Sequence, residues 1–264
     1  MTIGIIGIGK LGLALVRGLV SGGINPNKIN VYDVSVEALK RVEPLGVLIR
    51  RSINDLVEAS ETIVVSVKPR DILDVINIVA PVLTEDKILV SVAAFVPLQS
   101  IESYIKNKNV YRAMPNIAVE VNKGFIALTP PERRCSKVEE IFKVLGEVIW
   151  VKEDLLDLMT LISASTPAIV AELIDTFILA ALKAGVPYDL AKKAIASVFQ
   201  GVGKLAELKD VNAIRDSVIT PRGSTIIMIE KLYTYGVKGK LVKALFDAIE
   251  EYLEKLEKFR KEFR

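Results

Sequence analysis

Thr2-Ile3-Gly4-Ile5-Ile6-Gly7-Ile8-Gly9-Lys10-Leu11-Gly12 opens the chain with a short β-branched run that passes straight into the spacing G-x-G-x-x-G. In a strand–turn–helix unit the first glycine of this pattern permits the tight turn, the second lets backbone approach a pyrophosphate, and the third lets the helix pack closely on the strand. The phosphate then meets the free N–H groups and the positive end of the helix dipole. Gly7, Ile8, Gly9, Lys10, Leu11 and Gly12 are therefore candidate dinucleotide-binding residues. About 20 residues further on, Val31-Tyr32-Asp33 ends a second apolar run, and a carboxylate at that point accepts hydrogen bonds from the adenine ribose and repels a 2′-phosphate. No Arg or Lys follows Asp33 until Lys40, which favours NADH over NADPH. Asp33 also fits the cap of a helix beginning near Ser35.

Working outward, strand-like and helical stretches alternate. Strands are predicted at Thr2–Ile6, Ile29–Tyr32, Thr62–Val67, Ile88–Val92, Val110–Ala113, Gly124–Leu128 and Val148–Val151. Helical spacing occupies Leu11–Val20, Ser35–Val42, Asp71–Leu83, Leu98–Ile105 and Ser136–Leu145. Nearly continuous apolar strands separated by helices predict an α/β fold, a parallel, doubly wound Rossmann sheet covered on both faces. After Trp150 the strand signals stop. Helices are predicted at Asp154–Ile162, Pro167–Ala184, Tyr188–Ala206, Ser224–Tyr235 and Lys238–Phe263, bounded by the helix-breaking Ala184-Gly185-Val186-Pro187 and Thr220-Pro221-Arg222-Gly223. The expectation is a dinucleotide-binding domain over residues 1–152 and an all-α domain over 153–264. In the last helix Phe246, Ile249, Leu253, Leu256 and Phe259 form one apolar stripe, suited to a core or a dimer interface.

Composition removes several classes of function. The net charge of +3 comes from dispersed Lys and Arg, which is no footprint for nucleic acid. The chain has no histidine and one cysteine, Cys135, so histidine-based acid–base chemistry, Ser-His-Asp triads and a multi-cysteine metal site are excluded, and no metal is expected. The first residues lack the basic region of a signal peptide, and a cytoplasmic location is expected. Pro167–Ala184 is unusually apolar, but Glu172, Asp175 and Lys183 interrupt a run already short for a membrane span. Burial on most sides is expected instead, in a core or against a second subunit.

A second anion site is readable in Asp216-Ser217-Val218-Ile219-Thr220-Pro221-Arg222-Gly223-Ser224-Thr225, which leads into the apolar helix at Ile226. Amides of Gly223, Ser224 and Thr225 at a helix start suit a carboxylate or a phosphate. The same residues equally suit an ordinary capped helix.

Together with Val67-Lys68-Pro69, Ser91-Val92-Ala93-Ala94, Arg112-Ala113-Met114-Pro115-Asn116, Pro167-Ala168 and Ala184–Pro187, these segments resemble the pyrroline-5-carboxylate reductase family nearly end to end. The resemblance implies NADH- or NADPH-dependent reduction of a cyclic imine to proline, by a Rossmann domain followed by a helical domain through which subunits form a homodimer or a larger homo-oligomer. It also implies that the glycine loop, Val67, Lys68, Pro69, Ala93, Ala94, Asn116 and Ser217 bind the cofactor. Thr220, Pro221, Gly223, Ser224 and Thr225 would grip the substrate, with the Thr225 hydroxyl near the ring nitrogen as the catalytic group. A chain without histidine can run this chemistry, because a cyclic imine protonated by solvent needs chiefly alignment with the hydride donor. Four departures surround the expected site: Phe95 and Arg222 stand where the family usually has glycine, Thr166 replaces another glycine, and Ile117-Ala118 replaces Thr-Pro. They leave room for a reductase of a different imine or keto acid, or for a dinucleotide-binding protein without catalysis.

Overall fold

The computed structural model describes residues 1–105 and 109–262, and divides the chain into two compact units. The first comprises Met1–Pro167 with Lys255–Arg264, and the second Ala168–Glu254. Residues 153–167, read from the sequence as the start of the helical half, fall in the first unit.

The first unit is built on eight strands: β1 Ile3–Ile6, β2 Ile29–Tyr32, β3 Leu48–Ile49, β4 Thr62–Val65, β5 Ile88–Ser91, β6 Val110–Pro115, β7 Gly124–Thr129 and β8 Gly146–Trp150. Their order in one sheet is β3-β2-β1-β4-β5-β6-β7-β8. The first six strands in that row are mutually parallel and reproduce the Rossmann order. Helices α1 (Lys10–Ser21), α2 (Val36–Lys40), α3 (Ile53–Glu58), α4 (Ile72–Val79), α5 (Leu98–Glu102) and α6 (Ser136–Lys143) connect them. One core cluster joins Leu15 and Leu19 of α1 and Phe142 of α6 to one sheet face. A second joins Leu56 of α3, Ile76 of α4 and Ile101 of α5 to the other face.

The sheet is not wholly parallel, as the apolar strands had predicted. β7 runs antiparallel to β6, with Ala113 opposite Leu128. Only the 3-10 turn Ile117–Val121 separates these strands, and a parallel crossover needs a dozen or more residues. The connection through α6 is long enough, so β8 lies parallel to β7. The sequence reading also lacked β3 and α3, which are too short to show a period.

After β8, helix α7 (Glu153–Met159) runs through a π-helical segment, Thr160–Ser165, into α8 (Thr166–Lys183). Pro167 offers no N–H to the preceding turn, which loosens the ladder there. The Ser163, Ser165 and Thr166 hydroxyls donate to Met159, Thr160 and Ile162 carbonyls at 2.9, 2.9 and 2.7 Å. The helical run Glu153–Lys183 is therefore 31 residues long, and by length and composition it could cross a membrane. The helix is longer than the apolar run Pro167–Ala184 read from the sequence, and Glu172, Asp175 and Lys183 interrupt that run.

The second unit holds most of α8, then α9 (Tyr188–Ala206), α10 (Val211–Ser217) and α11 (Ser224–Thr234), and most of α12 (Val237–Glu262). Helix α10 was not predicted. Phe263, the predicted end of the last helix, lies outside the described residues. Only Ile178 of α8 is buried, so the expectation of a core helix is not met within one chain. The stripe on α12 divides as well: Leu256 is buried, while Phe246 and Leu253 are exposed.

Candidate active site

Parallel register brings the C-terminal ends of five strands to one edge. Ile6 lies level with Tyr32 and Val65, Val65 with Ser91, and Ser91 with Arg112. Gly7, Asp33, the Val67–Pro69 turn, Ala93-Ala94 and Asn116 follow directly from these strands, so the sequence-predicted cofactor residues of the first unit are gathered together. Ligands of open α/β sheets bind at this edge.

The glycine loop is closely fitted except where a ligand would approach. A Cβ on Gly12 would stand 2.0 Å from the Gly7 carbonyl oxygen, whereas one on Gly9 would meet no protein atom within 4 Å. Gly9 is also the N-cap of α1, and no side chain caps that helix. An open glycine at an uncapped helix start fits a pyrophosphate, and these residues would hold one.

Asp33 does two things at once. Its Oδ2 accepts a hydrogen bond from the Ile8 amide at 2.6 Å, and its Oδ1 accepts one from the Ser35 amide at 2.7 Å. Ser35 itself caps α2 by accepting from Ala38 N–H. The carboxylate thus pins the glycine loop to the end of β2. Sequence reasoning overlooked Arg41, which follows α2 and whose Nη2 donates to the Ile8 carbonyl at 3.0 Å. The α2 turn carries this cation back to Ile8, the residue whose amide Asp33 holds, which linear distance had hidden.

The Ala93-Ala94 turn continues into Phe95, whose φ of 69° is left-handed. Phe95 stands where the resemblance implies glycine, and the left-handed backbone, which favours glycine, costs it about 1 kcal/mol or more. Beyond it, the Leu98 amide donates to Glu153 Oε1 at 2.6 Å. The same oxygen accepts from Arg112 Nη1 at 2.5 Å, and Arg112 Nη2 donates to Asp157 at 2.7 Å. Arg112 and Asp157 are completely buried, so the pair is held in a low-dielectric setting where losing either partner is costly. Arg260, from the end of α12, donates to the other Asp157 oxygen at 2.7 Å and to Asp154 at 2.9 Å. Burial works against the Arg260 charge, but these carboxylates hold its pKa above the usual range. At the end of β6, Asn116 Oδ1 accepts from the Ala118 amide at 3.2 Å.

The predicted substrate residues belong to the second unit. Thr220-Pro221-Arg222-Gly223 is a turn closed by a Gly223 N–H to Thr220 carbonyl bond of 3.0 Å. Arg222 has a φ of 61°, again in place of the family's glycine. A left-handed residue after proline is the type II pattern. Gly223 is the N-cap of α11, and as in α1 no side chain caps the helix. The Ser224 and Thr225 amides thus begin a helix whose N-terminal end can take a carboxylate. Ser217, the last residue of α10, donates its hydroxyl to the Ile214 carbonyl at 2.7 Å.

Comparison with known proteins agrees in both halves. A family model described as pyrroline-5-carboxylate reductase dimerisation matches residues 153–255, and one described as NADP oxidoreductase coenzyme F420-dependent matches residues 2–95. The pyrroline-5-carboxylate reductase of Methanosarcina acetivorans is 30% identical over 261 residues, covering 96% of this chain and 97% of that protein. The Escherichia coli enzyme is 30% identical over 266 residues, covering 97% and 98%. Among solved structures, the Coxiella burnetii pyrroline-5-carboxylate reductase superposes with a TM-score of 0.80 at 26% identity, covering 96% of this chain and 97% of that one. The Plasmodium falciparum pyrroline carboxylate reductase, solved with NADP bound, shares the fold at a TM-score of 0.84 and 24% identity, each chain being covered to 98%.

Proposed function

The chain belongs to the pyrroline-5-carboxylate reductase family, and from that premise we propose that it reduces 1-pyrroline-5-carboxylate to L-proline. The observation that carries the proposal is the pair of helices, α1 and α11, that begin at a glycine with no side-chain cap. One stands at the Rossmann edge, suited to a pyrophosphate. The other follows the turn that the family resemblance assigns to the substrate carboxylate.

The reduced nicotinamide supplies the hydride when bound. The Ser224 and Thr225 amides hold the substrate carboxylate, and the absence of a side chain at Gly223 leaves room for the Thr220 hydroxyl, which would stand 2.3 Å from a Cβ there. The Thr225 hydroxyl oxygen accepts a hydrogen bond from the ring N–H once solvent has protonated that nitrogen, which orients the iminium. Hydride adds to the imine carbon, so one C–H and one N–H bond form as the C=N π bond is lost. Alignment supplies most of the acceleration, since a protonated imine accepts hydride without an enzyme base. Ser217 lies just before the substrate turn and is assigned to the cofactor with Val67, Lys68, Pro69, Ala93, Ala94 and Asn116.

NADH is the favoured donor in this reading, because Asp33 places negative charge where a 2′-phosphate would come. Arg41 works in the opposite sense, so the preference is narrow. The enzyme works as a homodimer or a larger homo-oligomer in the cytoplasm. An apolar groove of about 710 Å³ between α8 and α9, lined by Val170, Ile174, Phe177 and Phe199, is the face a second copy would cover.

The test is substrate-dependent oxidation of NADH and of NADPH, with pyrroline-5-carboxylate offered first and other ring imines and acyclic keto acids after it. Rapid turnover on the first, faster with NADH, is expected. Dinucleotide binding with turnover only on another imine would overturn the substrate assignment and make Phe95, Thr166 and Arg222 the residues responsible.

A further inference from the structure

We infer that the final turns of α12 form a clasp that fixes the Ala93-Ala94-Phe95 loop for the dinucleotide, with Phe259 and Arg260 as positioning residues. The inference rests on the reading above only in taking that loop to line the cofactor.

Three connections meet at this point, all within the first unit. Phe95 and Phe259 pack ring against ring, with centroids 5.3 Å apart and planes tilted by 41°. Phe259 also packs against the core cluster that contains Ala93, Val96 and Leu98. Arg260 binds Asp157, which binds the buried Arg112 of β6, and Arg112 shares Glu153 with the Leu98 amide. The tail therefore grips the loop at the Phe95 ring directly, and holds Leu98, three residues further on, through a chain of charge-assisted hydrogen bonds. Through Arg112 it also braces β6, the strand that leads to Asn116.

A purely structural tail does not account for Phe95. A left-handed backbone is the natural place for glycine, and a bulky residue there is retained only when its surroundings hold it. The Phe259 ring contributes to that hold: it packs on the Phe95 ring and favours a loop conformation that the Phe95 Cβ by itself disfavours. Glycine at position 95 would reach the same φ without strain, so position 95 and position 259 should depend on each other.

The experiment measures fluorescence of bound reduced dinucleotide, then kcat and KM, for Phe259→Ala, Arg260→Gln, Phe95→Gly and the Phe95→Gly/Phe259→Ala double variant. Thermal melting shows that each is folded. Phe259→Ala should weaken dinucleotide binding about tenfold and lower kcat by about 10- to 100-fold, the scale of a misplaced loop, while KM for the imine changes little. Arg260→Gln should act in the same direction and more weakly. The double variant should bind better than Phe259→Ala alone. Unchanged binding and kcat in a Phe259→Ala protein with a lowered Tm would overturn the clasp and leave the tail as scaffold. Strictly additive effects of positions 95 and 259 would overturn it too. Should Phe259→Ala fail to fold, Phe259→Leu keeps the apolar volume without the ring and carries the same test. Binding is read without substrate, so failure of the proline-forming reading would appear separately, as bound dinucleotide with no turnover.

Discussion

The two units treat their apolar residues in opposite ways. In the first, both sheet faces are covered, and residues such as Leu15, Leu56, Ile76 and Phe142 are buried. In the second, Phe177, Met228 and Phe246 remain 40%, 58% and 62% exposed on helices of regular amphipathic spacing. An amphipathic helix earns its stability by burying one face, and exposure on this scale marks an interaction surface. The first unit thus buries its apolar faces within the chain, while the second leaves open an apolar face that the proposed oligomer would cover. The units share one device, a helix started by an uncapped glycine. They support it differently: the Gly7–Gly12 loop is pinned by Asp33 and Arg41, whereas the turn before α11 is closed by its own Gly223–Thr220 bond.

The largest effect should come from breaking the contrast in burial. Phe177→Glu puts a charge in the α8–α9 groove, and light scattering should show dissociation with turnover lost, while the first unit still binds dinucleotide. A variant that remained oligomeric and active would remove the groove from the interface. Next, the glycines of the first loop separate packing from binding. Gly12→Ala, with its Cβ 2.0 Å from a carbonyl oxygen, should lower both Tm and dinucleotide affinity. Gly9→Ala meets no protein atom, so its Tm should match the parent while dinucleotide affinity, measured by titration, falls by about tenfold or more. Equal affinity in Gly9→Ala would mean that no pyrophosphate sits there.

The second loop predicts a smaller loss. Thr225→Ala should lower kcat by about tenfold, the worth of one hydrogen bond to a charged group, with dinucleotide affinity unchanged; full activity would take Thr225 out of the reaction. The smallest effects are in cofactor choice. Asp33→Ala should narrow the ratio of NADH to NADPH turnover, and Arg41→Ala should widen it, each by roughly threefold for a partly screened charge. An unchanged ratio in Asp33→Ala would confine the carboxylate to its bonds with Ile8 and Ser35.

Much of this was legible before any coordinates. The strand preceding Gly7, the helix following it and Asp33 closing β2 are local signals, each carried by neighbouring residues. So is Tyr188–Ala206, whose bounds were read from the sequence without error. Phe95 and Arg222 could be read as standing where the resemblance implies glycine, but that both have a left-handed backbone could not. Arg112 read as part of a motif, with no sign that its charge is buried, because its partners lie more than forty positions away.

By itself, then, the sequence determined the Rossmann start, the switch to an all-helical half after Trp150 and the absence of imidazole chemistry, since periodicity, turn residues and composition act within a few positions of the chain. Only the tertiary structure decided that β7 reverses direction, that Arg41 returns to Ile8, that the helical apolar faces stay open and that Phe259 settles on Phe95. Those outcomes depend on connection length and on packing between residues distant in the chain, which no local pattern encodes.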